Sequence, residues 1–368
     1  MTDRCLIIAE AGVNHNGNID MALELVDRAA ASGADFVKFQ TFRSAELASK
    51  SAPKAGYQLR QTDAGESQLD MLRRLELSQA DHRALFERCA DRGIAFLSTP
   101  FDLLSLDFLT KGLGQTIIKL GSGELTNGPL LLASAQSGAR IILSTGMGTL
   151  SEVEEALGVL AYGMTNGTSP SRAAFAEVLQ DRVTWEVLRD RVTLLHCTTE
   201  YPAPVDETNL RVLSTLRQAF GLVVGYSDHT EGNAVAFAAV ALGATVIEKH
   251  FTLDRSLPGP DHAASLEPGE LTALVCGIRA IEQALGSGIK QPGRAELANR
   301  VVARKSLIAA QDLPKGHLLT KADMHAKRPG GGVSAMNFWD AQGQTLPEAV
   351  KEGGYIRLGR EGAPVGHD

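Results

Sequence analysis

The chain has 368 residues, of which 44% are hydrophobic and 21% charged, and its formal net charge is -7. This composition excludes disordered and fibrous classes and is long enough for one large domain plus a small one. The acidic balance argues against a nucleic-acid or anionic-membrane binder, because the average surface field attracts neither polyanion; an anionic substrate must meet a local positive pocket.

From Met1 and Arg4 the chain runs straight into Leu6–Gly12, with no long apolar stretch or small-residue cleavage site to mark a signal peptide. Cys5, Cys89, Cys197 and Cys276 are far apart and form no CxxC pair, so they read as small buried hydrophobes of a cytoplasmic protein. Eight short apolar runs follow one another as expected strands: Leu6–Gly12, Phe36–Thr41, Ala95–Phe101, Ile117–Gly123, Ile141–Met147, Thr193–Thr199, Val223–His229 and Val246–Thr252. Helical periodicity is clearest at Asp20–Ala31, Ala80–Arg92, Gly128–Ser137, Ser151–Tyr162, Asn209–Ala219 and Gly232–Leu242. Strands apolar on both faces, alternating with helices, predict a parallel sheet covered on both sides. Eight such units predict an α/β fold, a (β/α)8 TIM barrel over 1–285; a doubly wound open sheet is the alternative. Each run starts apolar and ends in charged, hydroxyl or Gly residues, which favours the barrel, whose catalytic face lies at the C-terminal strand ends. Arg43–Gln79 and Met164–Arg191 are expected as long insertions or lids. The apolar stretch Ala234–Ile247 is shorter than the ~18 residues that span a bilayer and predicts a buried helix running into a strand. Residues 286–303, rich in Gly, Pro and polar residues, predict a linker, and 304–368 a small β-rich domain.

His229 in GYSDHT and His250 in IEKHFT stand at the ends of the last two strands, where a barrel brings them side by side, with Glu248 and Asp228 nearby. Two imidazoles suit a borderline divalent ion and leave positions open for water and a substrate oxygen; the alternative is a pair of hydrogen-bonded structural histidines. Lys38 and Lys119 lie inside strand runs, where a charge is costly unless an anion pairs with it. Ser122, Ser144 and Ser227 sit in or beside Gly-rich turns that could cradle phosphate and carboxylate, or could simply be tight turns. Glu10 and Asp261 could bind sugar hydroxyls or exchange protons, Glu10 alternatively being a partner for a lysine. Tyr201 could stack on a sugar or pack under its Pro-rich loop; His15 and Asn16 could cap the first helix, and His196 reads as a core histidine.

Taken in order, AEAGVNHNG, KFQTF, STPFD, KLGSGE, LSTGM, HCTTEYPAP, GYSDHT, EKHFTLD and GPDHAAS resemble the sialic-acid synthase family. KSLIAAQDLPKG and KRPGGGVSA are similar to the antifreeze-like (SAF) domain that follows the barrel there. The resemblance implies a domain-swapped homodimer in which each SAF domain closes the other subunit's site. It implies that His229 and His250 hold Mn2+, with Mg2+ or Co2+ as alternatives, and that Glu248 lies beside the ion. Lys38, Lys119, Ser122, Ser144 and Ser227 would bind phosphoenolpyruvate. Glu10, Tyr201 and Asp261 would face the open-chain sugar, with Arg328 reaching in from the partner, and Gln40, Thr99 and Thr199 would be further substrate-binding residues. The implied reaction joins phosphoenolpyruvate, N-acetylmannosamine and water into N-acetylneuraminate and phosphate. Thr199, where some members carry Asn, leaves open a legionaminate synthase using 2,4-diacetamido-2,4,6-trideoxymannose. A Schiff-base aldolase with Lys38 or Lys119 as nucleophile, and an inert barrel carrying a carbohydrate- or ice-binding tail, are the rival readings.

Overall fold

Strand residues of alternate parity meet two different environments, and this decides the architecture. The computed structural model describes residues 4–49, 52–62, 65–165, 167 and 169–359, in two units, 1–286 and 287–368. In the first unit the strands are β1 (Leu6–Gly12), β2 (Phe36–Thr41), β3 (Ala95–Pro100), β4 (Ile117–Leu120), β5 (Arg140–Ser144), β6 (Val192–Cys197), β7 (Val223–Asp228) and β8 (Val246–His250). They form one parallel sheet in the order β3-β2-β1-β8-β7-β6-β5-β4, and β3 lies against β4, so the sheet curls into the expected barrel. Ile7, Val37, Ile118, Leu143, Val224 and Ile247 face outward into the core shared with the helices. Residues of the opposite parity, Ile8, Leu97, Ile142, Leu195 and Val246, form a separate plug inside the barrel. Gly225 permits this closeness on β7: a Cβ there would stand 2.5 Å from the Val246 carbonyl oxygen and 2.6 Å from Leu195 Cδ2.

Helices follow every strand. Asn18, rather than His15 or Asn16, caps the first, Ile19–Ala31, its side chain accepting from the Asp20 and Met21 amides. Gln79–Arg92 begins at a reciprocal capping box between Ser78 and Asp81. After β3 the helix is short, Leu103–Asp107, and passes into a π turn at Phe108–Gly112; after β8 it is the long Pro268–Leu285. The insertion after β2 holds three short helices, Ser44–Leu47, Gly56–Gln61 and Gln68–Leu75, and that before β6 holds Arg172–Val178 and Arg182–Arg191. Among the described residues, no helix is long and apolar enough to cross a membrane.

The second unit contains β9 (Ser306–Ala309) and β10 (Met324–Lys327), paired antiparallel around a small core of Leu307, Leu313, Leu319, Met324, Leu346 and Ile356. The stretch expected as a plain linker contains a helix, Arg294–Ala303, and the Gly330 amide donates to its Val301 carbonyl at 2.7 Å. That helix therefore belongs to the second unit. Its Gly- and Pro-containing lead-in, not its body, is what resembled a linker. Cys276, expected buried, is exposed, whereas Cys5, Cys89 and Cys197 are buried as expected.

Candidate active site

Two residues above the apolar plug, the same inward parity carries charge. Glu10, Lys38, Thr99, Lys119, Ser144, Ser227 and Glu248 form the floor of a cavity of about 470 Å3 at the C-terminal strand ends. Gln40, Ser122, Thr199, Tyr201, His229, His250 and Asp261 line it further out, so fourteen of the fifteen site residues read from the sequence come together. The fifteenth, Arg328, lies in the second unit, where its Nε donates to the Ala303 carbonyl at 3.0 Å. A larger cavity of about 820 Å3 beside Gly128–Gln136 and Leu150–Met164 has apolar walls edged by Glu152, Glu155 and Arg172, and no such convergence of polar groups.

Lys38 Nζ is 2.8 Å from Glu10 Oε2 and 3.8 Å from Glu248 Oε2, and donates to Thr99 Oγ1 at 3.1 Å. Burial would lower the pKa of Lys38, but Glu10 and Glu248 outweigh it and hold the ammonium above its ordinary value. Lys119 Nζ is 3.5 Å from Glu248 Oε1, its one carboxylate neighbour within 4 Å among the described residues, and donates to the Leu120 carbonyl at 3.3 Å; burial pulls it below its ordinary value. Burial works against ionisation of Glu248, but Lys119 and Lys38 bring it down to about 2, and Ser227 Oγ donates to its Oε1 at 3.0 Å. Burial raises Glu10 despite Lys38, and burial with the Glu10 charge raises Asp261 to about 7. The floor thus holds one closely paired lysine and one more loosely paired, and the wall above it a carboxyl group, Asp261, able to exchange a proton near neutrality.

The His229 and His250 rings are 5.4 Å apart, and Tyr201 packs 4.2 Å from the first and 5.3 Å from the second. His229 Nδ1 donates to the Thr198 carbonyl at 2.6 Å, which leaves the lone pair on Nε2, 3.3 Å from Ser227 Oγ; backbone carbonyls hold metal-binding imidazoles in this way. The buried His250 Nδ1 has no hydrogen-bond partner among the described residues and stands 4.0 Å from Asp261 Oδ2. Burial keeps both rings neutral, His229 titrating at about 4 and His250 well below its ordinary value. Two neutral imidazoles, one already oriented through its far nitrogen, fit a divalent ion whose remaining positions go to water and substrate. No cluster of three or more His, Cys, Asp or Glu side chains suited to a metal occurs among the described residues.

Some expectations change. Asp228 lies beside His229 as expected, but its side chain points outward and pairs with Lys249. His196 is half-buried, its Nε2 donating to the Thr208 carbonyl at 2.7 Å, a satisfied structural histidine. Cys197, taken for a small core residue, lines the cavity with its Sγ 3.0 Å from Ser122 Oγ. Its parity, two residues past the inward Leu195, was the available signal. Gly146 lies so close that a Cβ would stand 2.3 Å from Thr199 Oγ1 and 2.7 Å from Ser122 Oγ, while its amide donates to Ser122 Oγ at 3.1 Å. Over the polar floor stands an apolar wall made by Met71, Leu72 and Leu75 of the insertion after β2, together with Val13 after β1 and Phe101 after β3. No periodicity marked those side chains as cavity lining.

The NeuB family model matches residues 25–290, and the SAF domain model residues 304–360. N,N'-diacetyllegionaminic acid synthase of Campylobacter jejuni is 49% identical, over 96% of this chain and 99% of its own length. The synthase of the same name from Legionella pneumophila is 44% identical, over 95% and 92%. Among solved structures, N-acetylneuraminic acid (sialic acid) synthetase of Leptospira borgpetersenii in complex with citrate superposes with a TM-score of 0.65 at 32% identity, covering 81% of this chain and 90% of that one. The chain therefore belongs to the NeuB family, an enzyme of the phosphoenolpyruvate-dependent, carbon–carbon bond-forming kind that its motifs resemble, with a SAF domain after the barrel.

Proposed function

We propose that this enzyme condenses phosphoenolpyruvate with 2,4-diacetamido-2,4,6-trideoxymannose and water, giving N,N'-diacetyllegionaminic acid and phosphate. The observation that carries the choice of sugar is the 49% identity to a diacetyllegionaminic acid synthase over nearly the whole of both chains, against 32% to the sialic acid synthetase. This reverses the order in which the motifs ranked the two acceptors. The apolar wall of Val13, Met71, Leu72 and Leu75 supports it, since a 6-deoxy sugar with two acetamido groups offers three methyls where N-acetylmannosamine offers one. Apolar contact of this kind discriminates by roughly 10- to 200-fold per methyl-sized feature.

In this reading Lys119 and Lys38, with the hydroxyls of Ser122, Ser144 and Ser227, hold the carboxylate and phosphate of phosphoenolpyruvate. Ser144 Oγ is buried without a hydrogen-bond partner among the described residues, and Lys119 meets Glu248 only at 3.5 Å, so both have capacity to spare for an anion. Glu10, Gln40, Tyr201 and Asp261 orient the open-chain sugar so that its aldehyde carbon meets C3 of phosphoenolpyruvate; such positioning contributes about 7–11 kcal/mol. His229 and His250 would hold a divalent ion, Mn2+ first, which supplies Lewis acidity to the aldehyde carbonyl. As the C–C bond forms, water adds at C2, the C2–O bond to phosphate breaks, and the aldehyde oxygen gains the proton that water loses. Asp261, titrating at about 7, and Glu10 are placed to move that proton. Arg328 of the partner subunit would complete the sugar site in a domain-swapped dimer. A Schiff-base aldolase is favoured by one observation, the lowered pKa of Lys119, and borohydride trapping with substrate would reveal it.

The test is phosphate release from phosphoenolpyruvate with Mn2+ present or chelated, comparing the two sugars. Release that needs metal and favours the 6-deoxy diacetamido sugar is expected. Preference for N-acetylmannosamine would overturn the substrate, and release without metal would overturn the metal centre.

A further inference from the structure

Behind the two histidines lies a buried ion pair that substrate does not reach. Lys249 Nζ is 2.8 Å from Asp228 Oδ2, and the two side chains are 1% and 0% exposed. The pair sits on the outer face of the barrel, where the neighbouring strands present Ala9 and Tyr226 and the surrounding core is apolar. Two well-packed hydrophobic side chains would stabilise such a position at least as well as a desolvated ion pair, so stability alone does not explain it.

Its place in the chain does. Asp228 and Lys249 are register partners in the last pairing of β7 with β8, and each immediately precedes a histidine, His229 and His250. Lys249 Nζ also donates to the Thr230 carbonyl at 2.5 Å, while Asp228 Oδ1 accepts from the Thr230 amide at 2.9 Å and hydroxyl at 2.7 Å. Both strand ends and the backbone on either side of His229 are thereby tied to one point. An apolar pair fills the same space but has no directional bonds, and would leave the His229 turn free to rotate against β8.

We infer that Asp228 and Lys249 are positioning residues that set the separation and aim of the His229 and His250 imidazoles for a divalent cation. This rests on those histidines being metal ligands. The experiment titrates Mn2+ into the full-length protein by calorimetry and by electron paramagnetic resonance, alongside thermal unfolding. It compares wild type, Asp228→Asn, the apolar double variant Asp228→Leu/Lys249→Met, and His250→Ala. Asp228→Asn keeps an acceptor for Thr230 but leaves Lys249 buried without its counter-charge, so it should unfold earlier than wild type, and the apolar double variant, which removes both charges, is the control for stability. The expected result is Mn2+ affinity weaker by about 10- to 100-fold in Asp228→Asn and in the double variant, with the double variant unfolding no earlier than wild type. Folded variants that bind Mn2+ as wild type does would overturn the positioning role and leave a purely structural pair. Wild type that fails to bind Mn2+, or His250→Ala that binds it unchanged, would instead overturn the metal centre and the inference with it.

Discussion

Lys38 and Lys119 occupy one tier of the barrel, yet their removal should have opposite consequences. Lys38 lies 2.8 Å from Glu10, so Lys38→Met leaves two buried carboxylates with one lysine between them. Breaking a buried pair in this way costs about 3–5 kcal/mol, which for a unit of this size lowers Tm by on the order of 10 °C. Lys119 is 3.5 Å from Glu248 and is disfavoured as a cation by its burial. Lys119→Met removes that desolvated charge and its repulsion with Lys38 while Glu248 keeps Lys38 and Ser227, so stability should stay within about 1 kcal/mol of wild type. If Lys119 awaits an anion, the same variant loses a charge-assisted hydrogen bond to phosphoenolpyruvate of about 1.5–3 kcal/mol, and KM for it rises roughly 10- to 150-fold. Thermal unfolding and phosphate-release kinetics on both variants decide the matter. Equal losses of stability, or an unchanged KM in Lys119→Met, would refute this division of labour.

His250→Ala should weaken Mn2+ binding at least about 100-fold and abolish turnover; wild-type activity that survives stringent metal removal would contradict it. Gly146→Ala should fold but lose most activity, because its Cβ would displace the Thr199 and Ser122 hydroxyls, and steady-state kinetics beside a circular dichroism spectrum check this. Arg328→Ala should raise KM for the sugar more than for phosphoenolpyruvate, and wild-type sugar saturation would remove the partner subunit from the site. In the second unit, Asp323 accepts from Thr320, His317 and Gln311, and these bonds hold its carboxyl below the usual range. A depressed folded pKa stabilises above the unfolded value near pH 4 and is lost as pH falls through the folded one. Asp323→Asn should therefore lower the stability of that unit by about 1–3 kcal/mol at pH 7 and by less at pH 3, read from calorimetric unfolding of the whole chain.

Much of the candidate site was legible because parallel strands impose a parity of two. Once Ile8, Lys38 and Glu248 are assigned to the interior, Glu10, Gln40 and His250 must share it, and the polar strand endings mark the open mouth. The same rule, applied strictly, would have recovered Cys197 and rejected Asp228, which lies one residue from both Ser227 and His229 and so faces the other way. The helix after β3 was not named, because a short segment passing into a π turn lacks a full helical period. The helix Arg294–Ala303 was missed because its Gly- and Pro-containing lead-in marked the stretch as a linker, and its Leu297, Val301 and Val302, though at helical spacing, stay exposed in this chain.

By itself, then, the sequence determined the barrel, the order of its strands, the residues that meet at its mouth and the family they resemble, since alternation and short-range turn chemistry are local properties. Tertiary structure alone decided which lysine is paired and which is spare, how burial shifts Asp261 and the two histidines, and that Asp228 grips Lys249 behind the site. It alone brought Met71, Leu72 and Leu75 over a floor built by strands far from them in the chain. These depend on distances and desolvation between residues remote in sequence, and no local pattern encodes a distance.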